Sequence, residues 1–356
     1  MKVFKNLMLN GELTDIVSDG GVISAVGKTD KAGVDLFGKK VYPGLVDIHT
    51  HGIGGVDTMD AELEKTAPLY AMNGTTSFYP TTMTASHDDI IRVLKTNTNV
   101  RGATVEGFHL EGPYINKKYC GAQSTEYMRD PDATEFESFD NIKLVTLAPE
   151  LDGAAEYIKN SSAVICAGHT AADYKTLCDA ADSGLKCVTH IFNAMPPLHH
   201  REPSVVGAAC DKDLYVQVIC DGIHIHPAVI RMLYKLFGAD RMILISDSMR
   251  ATLLPDGEYE LGGQKMTVKD KVARTETGAL AGSTSTLFDC VKHAIEFGIP
   301  ERDAFKMASA TPARLMGLKK GEVKVGYACD LIALDDKNNI DTVIIGGEIF
   351  SGDYKK

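Results

Sequence analysis

The sequence predicts an α/β fold: a parallel (β/α)8 barrel of the TIM type, carrying a small accessory β layer drawn from both ends of the chain. Three observations predict it. Between Tyr42 and Leu318, short apolar runs recur eight times with helical stretches between them. Polar residues follow directly on the ends of those runs. The first forty residues, and those from Gly321 on, instead alternate β-prone runs with glycine turns.

Taken in order, Val3-Phe4, Leu7-Met8-Leu9, Asp15-Ile16-Val17 and Gly21 to Val26 read as antiparallel strands, with Asp19-Gly20-Gly21 as a hairpin turn. Barrel strands are expected at Val46 to Ile48, Thr75 to Phe78, Val105 to Phe108, Leu144 to Leu147, Ala163 to Cys166, Cys187 to Thr189, Val216 to Cys220 and Met242 to Ile245. Ser86 is placed to open a helix from Asp88 to Thr96, and further helices fit Ala172 to Ser183, His226 to Phe237 and Leu287 to Phe297. Residues 254–275 break this rhythm and read as a β-hairpin inserted near the barrel mouth. The chain ends in the β-prone runs Cys329 to Leu334, Asp341 to Ile345 and Glu348 to Phe350, the last two joined by Gly346-Gly347. The expected division is therefore 1–42 with 318–356 for the accessory layer and 43–317 for the barrel.

With 356 residues, 44% of them apolar and 24% charged, the chain can bury a large core, which excludes disorder and a disulfide-stapled miniprotein. A net charge of −11 with no basic cluster argues against nucleic acid as a partner. Asn10, Gly11 and Glu12 interrupt the opening residues before a signal peptide or membrane helix could form, and no later segment offers 18 consecutive apolar residues, so no membrane association is expected. Eight cysteines with no Cys-x-x-Cys pair fit reduced thiols and a cytoplasmic location.

In a parallel barrel the C-terminal strand ends face the active site. The first strand ends in Asp47-Ile48-His49-Thr50-His51-Gly52, whose two imidazoles at i and i+2 point to one side of an extended chain and can converge on one ion. After the third strand comes His109-Leu110-Glu111, after the fifth Gly168-His169-Thr170, after the sixth Thr189-His190, and after the eighth Ser246-Asp247-Ser248. Imidazole with carboxylate suits Zn²⁺, Fe²⁺, Mn²⁺ or Co²⁺ rather than Ca²⁺ or Mg²⁺. His87, His199, His226 and His293 have no such placement and read as surface or structural residues.

Together, His49-x-His51-Gly, His109-Leu-Glu111-Gly-Pro113, Gly168-His169-Thr170, Thr189-His190-x-Phe-Asn193-Ala194-Met195, Arg201-Glu202-Pro203, Asp221-Gly222-x-His224 and Ser246-Asp247 resemble the N-acetylglucosamine-6-phosphate deacetylases of the amidohydrolase superfamily. The resemblance spans essentially the whole chain in order. It implies a metal-dependent hydrolase barrel bearing a β-sandwich made from both termini, and a homodimer. It further implies hydrolysis of an N-acetylated amino-sugar phosphate in amino-sugar breakdown and cell-wall recycling. The related readings are a deacetylase of the galactosamine epimer, or a non-catalytic barrel of the same descent, which would be expected to have lost ligands that this chain keeps.

Residue by residue, the resemblance implies a metal site of Glu111, His169 and His190, with Asp247 as catalytic acid/base. Because His49 and His51 are present, a second ion is allowed, with Asp247 beside them and Glu111 bridging. Arg201 and His224, with the backbone N–H groups of Asn193 and Ala194, match the phosphate cradle, part of which comes from the neighbouring subunit, and Asp221 stands in the same motif as His224. Leu280-Ala281-Gly282 matches a loop that closes over the sugar. One departure stands out: where many relatives have a histidine, this chain has Ala122-Gln123, and an amide can bond a hydroxyl or carbonyl but cannot carry a positive charge.

Overall fold

The computed structural model describes residues 1–351. Eight strands lie side by side in chain order: β1 (Leu45–Thr50), β2 (Thr75–Thr82), β3 (Phe108–Glu111), β4 (Ile142–Leu147), β5 (Val164–Ala167), β6 (Cys187–Val188), β7 (Tyr215–Ile219) and β8 (Met242–Ile245). Every neighbouring pair from β1 to β8 is parallel. The seam between β8 and β1 carries no ladder among the described residues. There the Asp247 N–H donates to the His49 carbonyl at 3.0 Å, and the Ser246 N–H to Asp47 Oδ1 at 3.4 Å. Two hydrophobic shells hold the barrel: the inner one includes Tyr79, Leu144, Cys166, Cys187, Ile219, Ile243 and Ile245, and the outer one packs Val145, Leu147, Val216, Val218 and Leu244 against the helices.

The third strand departs from expectation. Thr104–Val105 pairs separately with β2, and the run restarts at Phe108, so His109 and Glu111 lie inside β3 rather than after it. Gly107 makes the break. Its φ is +140°, and a Cβ there would sit 2.8 Å from the Asn141 carbonyl oxygen.

Helices form at His87–Leu94, Tyr174–Ser183, Pro227–Arg241 and Leu287–Glu296, as the sequence predicts. Each has a side-chain cap: Ser86 and Asp173 accept from Asp89 and Thr176 N–H, His226 from Ala228 N–H, and Thr286 with Asp289 forms a capping box. Helices at Leu63–Met72, Ala154–Asn160, Ser204–Asp211, Glu301–Met307 and Ala310–Leu315 complete the shell.

The accessory layer is one eight-stranded sheet. Lys40–Pro43 is the hinge of its construction, pairing with the N-terminal strand Lys2–Leu9 on one side and with Leu331–Leu334, antiparallel, on the other. The sheet curls over a core of Phe4, Leu7, Ile16, Ile23, Leu36, Val41, Leu331 and Ile344, and Val22 bridges to Ala328 across the fold. The insertion holds three strands, Gly257–Leu261, Gln264–Lys269 and Val272–Thr275, rather than one hairpin. Asp270 and Lys271, at φ +50° and +63°, supply the second tight turn that an Asn-Gly signal would have announced. Leu261, Met266, Val268 and Ala273 seat this small sheet on Met83, Met249 and Ala281 at the barrel mouth.

Lys320 ties the two sheets together below the barrel. Its ammonium lies 2.7 Å from Glu106 Oε1 and 3.1 Å from Asp330 Oδ2, and donates to Ser77 Oγ at 2.9 Å. Lys320→Met strands two largely buried carboxylates without their cation, so unfolding free energy by urea titration is expected to fall by about 3–5 kcal/mol. A loss within the scatter of surface substitutions would contradict this role.

Candidate metal centre

The strands of a barrel converge where they end, and six buried donors from five of those ends meet here: His49, His51 and Asp247 form one triad, Glu111, His169 and His190 another. His49 and His51 sit two apart on β1, as the i, i+2 spacing requires, with their Nε2 atoms 3.2 Å apart. Glu111 stands between the triads. Its Oε1 lies 3.1 Å from His190 Nε2 and 3.3 Å from both His49 and His169 Nε2, while Oε2 lies 3.2 Å from His51 Nε2. Asp247 Oδ1 is 3.4 and 3.3 Å from the Nε2 atoms of His49 and His51. Three of these residues, His169, His190 and Asp247, have φ of +47°, +24° and +46°. A non-glycine residue held there carries backbone strain of about 1–3 kcal/mol, and such strain collects at functional sites. Gly282 permits the close approach behind Asp247: its φ is +61°, and a Cβ would lie 3.1 Å from the Asp247 carbonyl oxygen.

Three of the four imidazoles, those of His49, His51 and His169, are oriented from behind. His51 Nδ1 faces the Thr81 carbonyl at 3.2 Å and His169 Nδ1 the Tyr119 carbonyl at 2.9 Å, so both must carry their proton on Nδ1. His49 Nδ1 faces Gln217 Oε1 at 2.9 Å. The Nε2 atoms of His49, His51 and His169 then direct lone pairs at carboxylate oxygens, an arrangement that only a cation or added protons can balance. The electrostatics say the same: burial opposes charge on His51, yet Asp247 and Glu111 outweigh it and push the imidazole up to about 10. Burial likewise opposes ionisation of Glu111 and Asp247, but the surrounding histidines hold Glu111 well below the usual carboxylate range and lower Asp247 as well. Two carboxylates, four imidazoles and second-layer acceptors make a donor set that fits a divalent ion of the Zn²⁺, Fe²⁺, Mn²⁺ or Co²⁺ class.

A cavity of about 300 Å³ opens above this centre, lined by the clustered donors His51, Glu111, His169, His190 and Asp247 and by Ala122, Gln123, Asn193, Ala194, His224, Leu280 and Gly282. Three expectations need correction. Asp221 does not line it: its carboxylate sits behind His224, bonding Nδ1 at 2.7 Å and the N–H groups of Ile223 and His224. Ala281 is buried beneath Leu280 and Gly282, its N–H spent on the Ala273 carbonyl. The Asn193 N–H is not free for an anion, because it closes a turn onto the His190 carbonyl at 3.0 Å. Arg201 is exposed and outside the cavity of its own chain, its Nη1 2.7 Å from His200 Nε2.

The cavity also uses Met83, Gly121, Phe192, Ile219, Leu261 and Ala279, which sequence reasoning does not single out. Gln217, amid the apolar Val216 and Val218, carried a usable signal, as a polar residue in the middle of a buried strand asks for a partner. Below the donors a buried polar chain crosses the barrel, from Thr81 Oγ1 to His109 Nδ1 at 3.2 Å, His109 Nε2 to Thr146 Oγ1 at 2.7 Å, and on to Thr189 Oγ1 at 2.7 Å. Of the histidines read as surface or structural, His87 pairs with Glu135, His199 accepts from the Arg201 N–H at 3.4 Å, His226 caps a helix and His293 bonds the Cys220 carbonyl.

The profile of the amidohydrolase family matches residues 41–350. The chain belongs to this family. Among its relatives, this amidohydrolase is 39% identical over 332 residues to the N-acetylglucosamine-6-phosphate deacetylase of Bacillus subtilis, covering 87% of this chain and 84% of that one. It is 34% identical over 351 residues to an N-acetylgalactosamine-6-phosphate deacetylase of Escherichia coli O157:H7, covering 93% of each. Among solved structures, it superposes with a TM-score of 0.91, at 32% identity and over 98% of both chains, on an aspartate-to-alanine variant of the Mycobacterium smegmatis N-acetyl-D-glucosamine-6-phosphate deacetylase in complex with N-acetyl-D-glucosamine-6-phosphate. The family is metal-dependent, in keeping with the donor set described above.

Proposed function

We propose that this amidohydrolase hydrolyses N-acetyl-D-glucosamine 6-phosphate to D-glucosamine 6-phosphate and acetate. The observation that carries the reading is the likeness over 98% of both chains to a deacetylase bound to that substrate, with the buried donors gathered under a cavity of sugar size. Glu111, His169 and His190 would hold one ion, and His49, His51 and Asp247 a second, with Glu111 shared. A divalent ion held there would supply polarisation of the acetyl carbonyl and would lower the pKa of water to about 7. Asp247, ionised at neutral pH, takes the proton of the attacking water and delivers it to the sugar nitrogen as the C–N bond breaks. The walls formed by Leu261, Leu280 and Phe192 keep bulk water from this exchange.

His224 is the cationic group facing the cavity that suits the phosphate. Burial opposes its charge, but the Asp221 carboxylate outweighs it and raises the imidazole above its ordinary value. Its contribution, to stability and to phosphate binding alike, is therefore complete below about pH 6.5 and is lost as pH rises through the raised value. The preference for phosphorylated over unphosphorylated sugar, measured as the ratio of kcat/KM, is expected to fall as pH rises through that raised value and to flatten in His224→Asn. A ratio independent of pH in the parent would contradict this. Arg201, exposed and outside its own cavity, is then the residue for the neighbouring site of a homodimer, a role that requires a dimer by sedimentation. All eight cysteines are free, in keeping with a reducing compartment such as the cytoplasm, and no helix among the described residues is long and apolar enough to cross a membrane.

The similarity to the galactosamine-6-phosphate enzyme favours a second reading, the C4 epimer as substrate. Acetate release from the two phosphorylated epimers, compared side by side, separates them: the first reading expects the glucosamine derivative to be turned over faster.

A further inference from the structure

We infer that Gln123 is the positioning residue that holds the Glu111 carboxylate astride both triads, and that its side-chain amide thereby sets how tightly the centre keeps its ions. The inference rests on the metal-centre reading above. Glu111 must present Oε1 to His49, His169 and His190 and Oε2 to His51 at the same time. The last torsion of a glutamate is broad, so nothing in Glu111 itself enforces that attitude. Gln123 Nε2 donates to Glu111 Oε2 at 2.6 Å and removes the freedom.

The amide's own direction is fixed. The Thr84 N–H, just past the end of β2, donates to Gln123 Oε1 at 2.7 Å, so the flipped amide would set oxygen against oxygen at Glu111 and NH₂ against N–H at Thr84. The loop that carries it is fixed as well: the Gln123 N–H closes a turn onto the Cys120 carbonyl at 2.9 Å, and the Ala122 carbonyl accepts from Gln264 Nε2 of the inserted sheet at 2.8 Å. With 5% of its surface exposed, Gln123 makes these bonds away from competing water. Being an amide, it donates at every pH and adds no charge to a centre that already balances carboxylates against cations. The inserted sheet, which also lines the cavity through Leu261, is thus joined through Gln264, Ala122 and Gln123 to the shared carboxylate.

The test is ion retention, with no sugar present. Parent, Gln123→Leu and Gln123→Glu are equilibrated against a graded series of Zn²⁺ buffers, ion content is read by mass spectrometry, and the fold is checked by circular dichroism. Gln123→Leu is expected to weaken zinc binding by about 10–100-fold, the usual cost of losing a partner behind a ligand, and Gln123→Glu, which sets an acceptor against Glu111, by more. Parent-like retention in a folded Gln123→Leu overturns the inference. Should that variant not fold, Gln264→Ala removes the loop's tether alone. A smaller loss in the same direction supports the inference, and unchanged affinity overturns it. A parent that binds zinc yet releases no acetate would sink the deacetylase reading while leaving this one intact.

Discussion

Asp247→Asn is expected to lower kcat for acetate release by about 10³- to 10⁴-fold with little change in KM. The substitution keeps the shape of the side chain and an oxygen within reach of His49 and His51, which Asp247 Oδ1 faces at 3.4 and 3.3 Å. What it removes is the capacity to accept a proton and return it to the leaving nitrogen. The histidines around Asp247 lower its pKa against the effect of burial, so the parent stands ready as a base at neutral pH and the amide does not. Steady-state kinetics on protein of matched ion content decides the matter. A kcat within tenfold of the parent would remove Asp247 from the proton path.

Glu111→Gln is expected to abolish measurable turnover by a different route, through loss of ions from both triads. Among the described residues the parent carboxylate is the one group within 3.3 Å of four imidazoles, and its charge is what bound ions would balance. An amide of the same size offers one weak oxygen donor and a competing NH₂. A ligand present at about 100 times its Kd adds about 2.7 kcal/mol to stability, so the parent should melt higher with zinc than without, and Glu111→Gln should lose that increment. Equal melting shifts in parent and variant would show that Glu111 is not shared between the triads.

Much of this was legible in the sequence, and the limits have physical causes. The helices at His87–Leu94, Tyr174–Ser183, Pro227–Arg241 and Leu287–Glu296 were readable because each announces its start with a capping side chain. The helices at Leu63–Met72, Ala154–Asn160, Ser204–Asp211, Glu301–Met307 and Ala310–Leu315 have no side-chain cap and rest on packing, which no local pattern reveals. The six clustered donors were legible because a charged or imidazole side chain at the end of an apolar run has few other reasons to be there. The residues behind them were not: Thr81, Tyr119 and Thr84 act through backbone carbonyl or N–H groups, which a residue supplies whatever its side chain. Asp221 and Ala281 were misread for a related reason, since motif membership says that a residue is near the site but not whether it faces the cavity or stands one layer behind.

The central claim, that these six side chains hold the ions on which amide hydrolysis depends, meets its most direct test in reconstitution. Protein stripped by a chelator is titrated with Zn²⁺, Fe²⁺, Mn²⁺ or Co²⁺ while bound ion and acetate released from N-acetylglucosamine 6-phosphate are measured on the same samples. The account predicts no acetate from stripped protein and a rate that climbs with bound ion, levelling off at one or two ions per chain. Acetate released equally well by ion-free protein, or none from fully loaded protein, would contradict it.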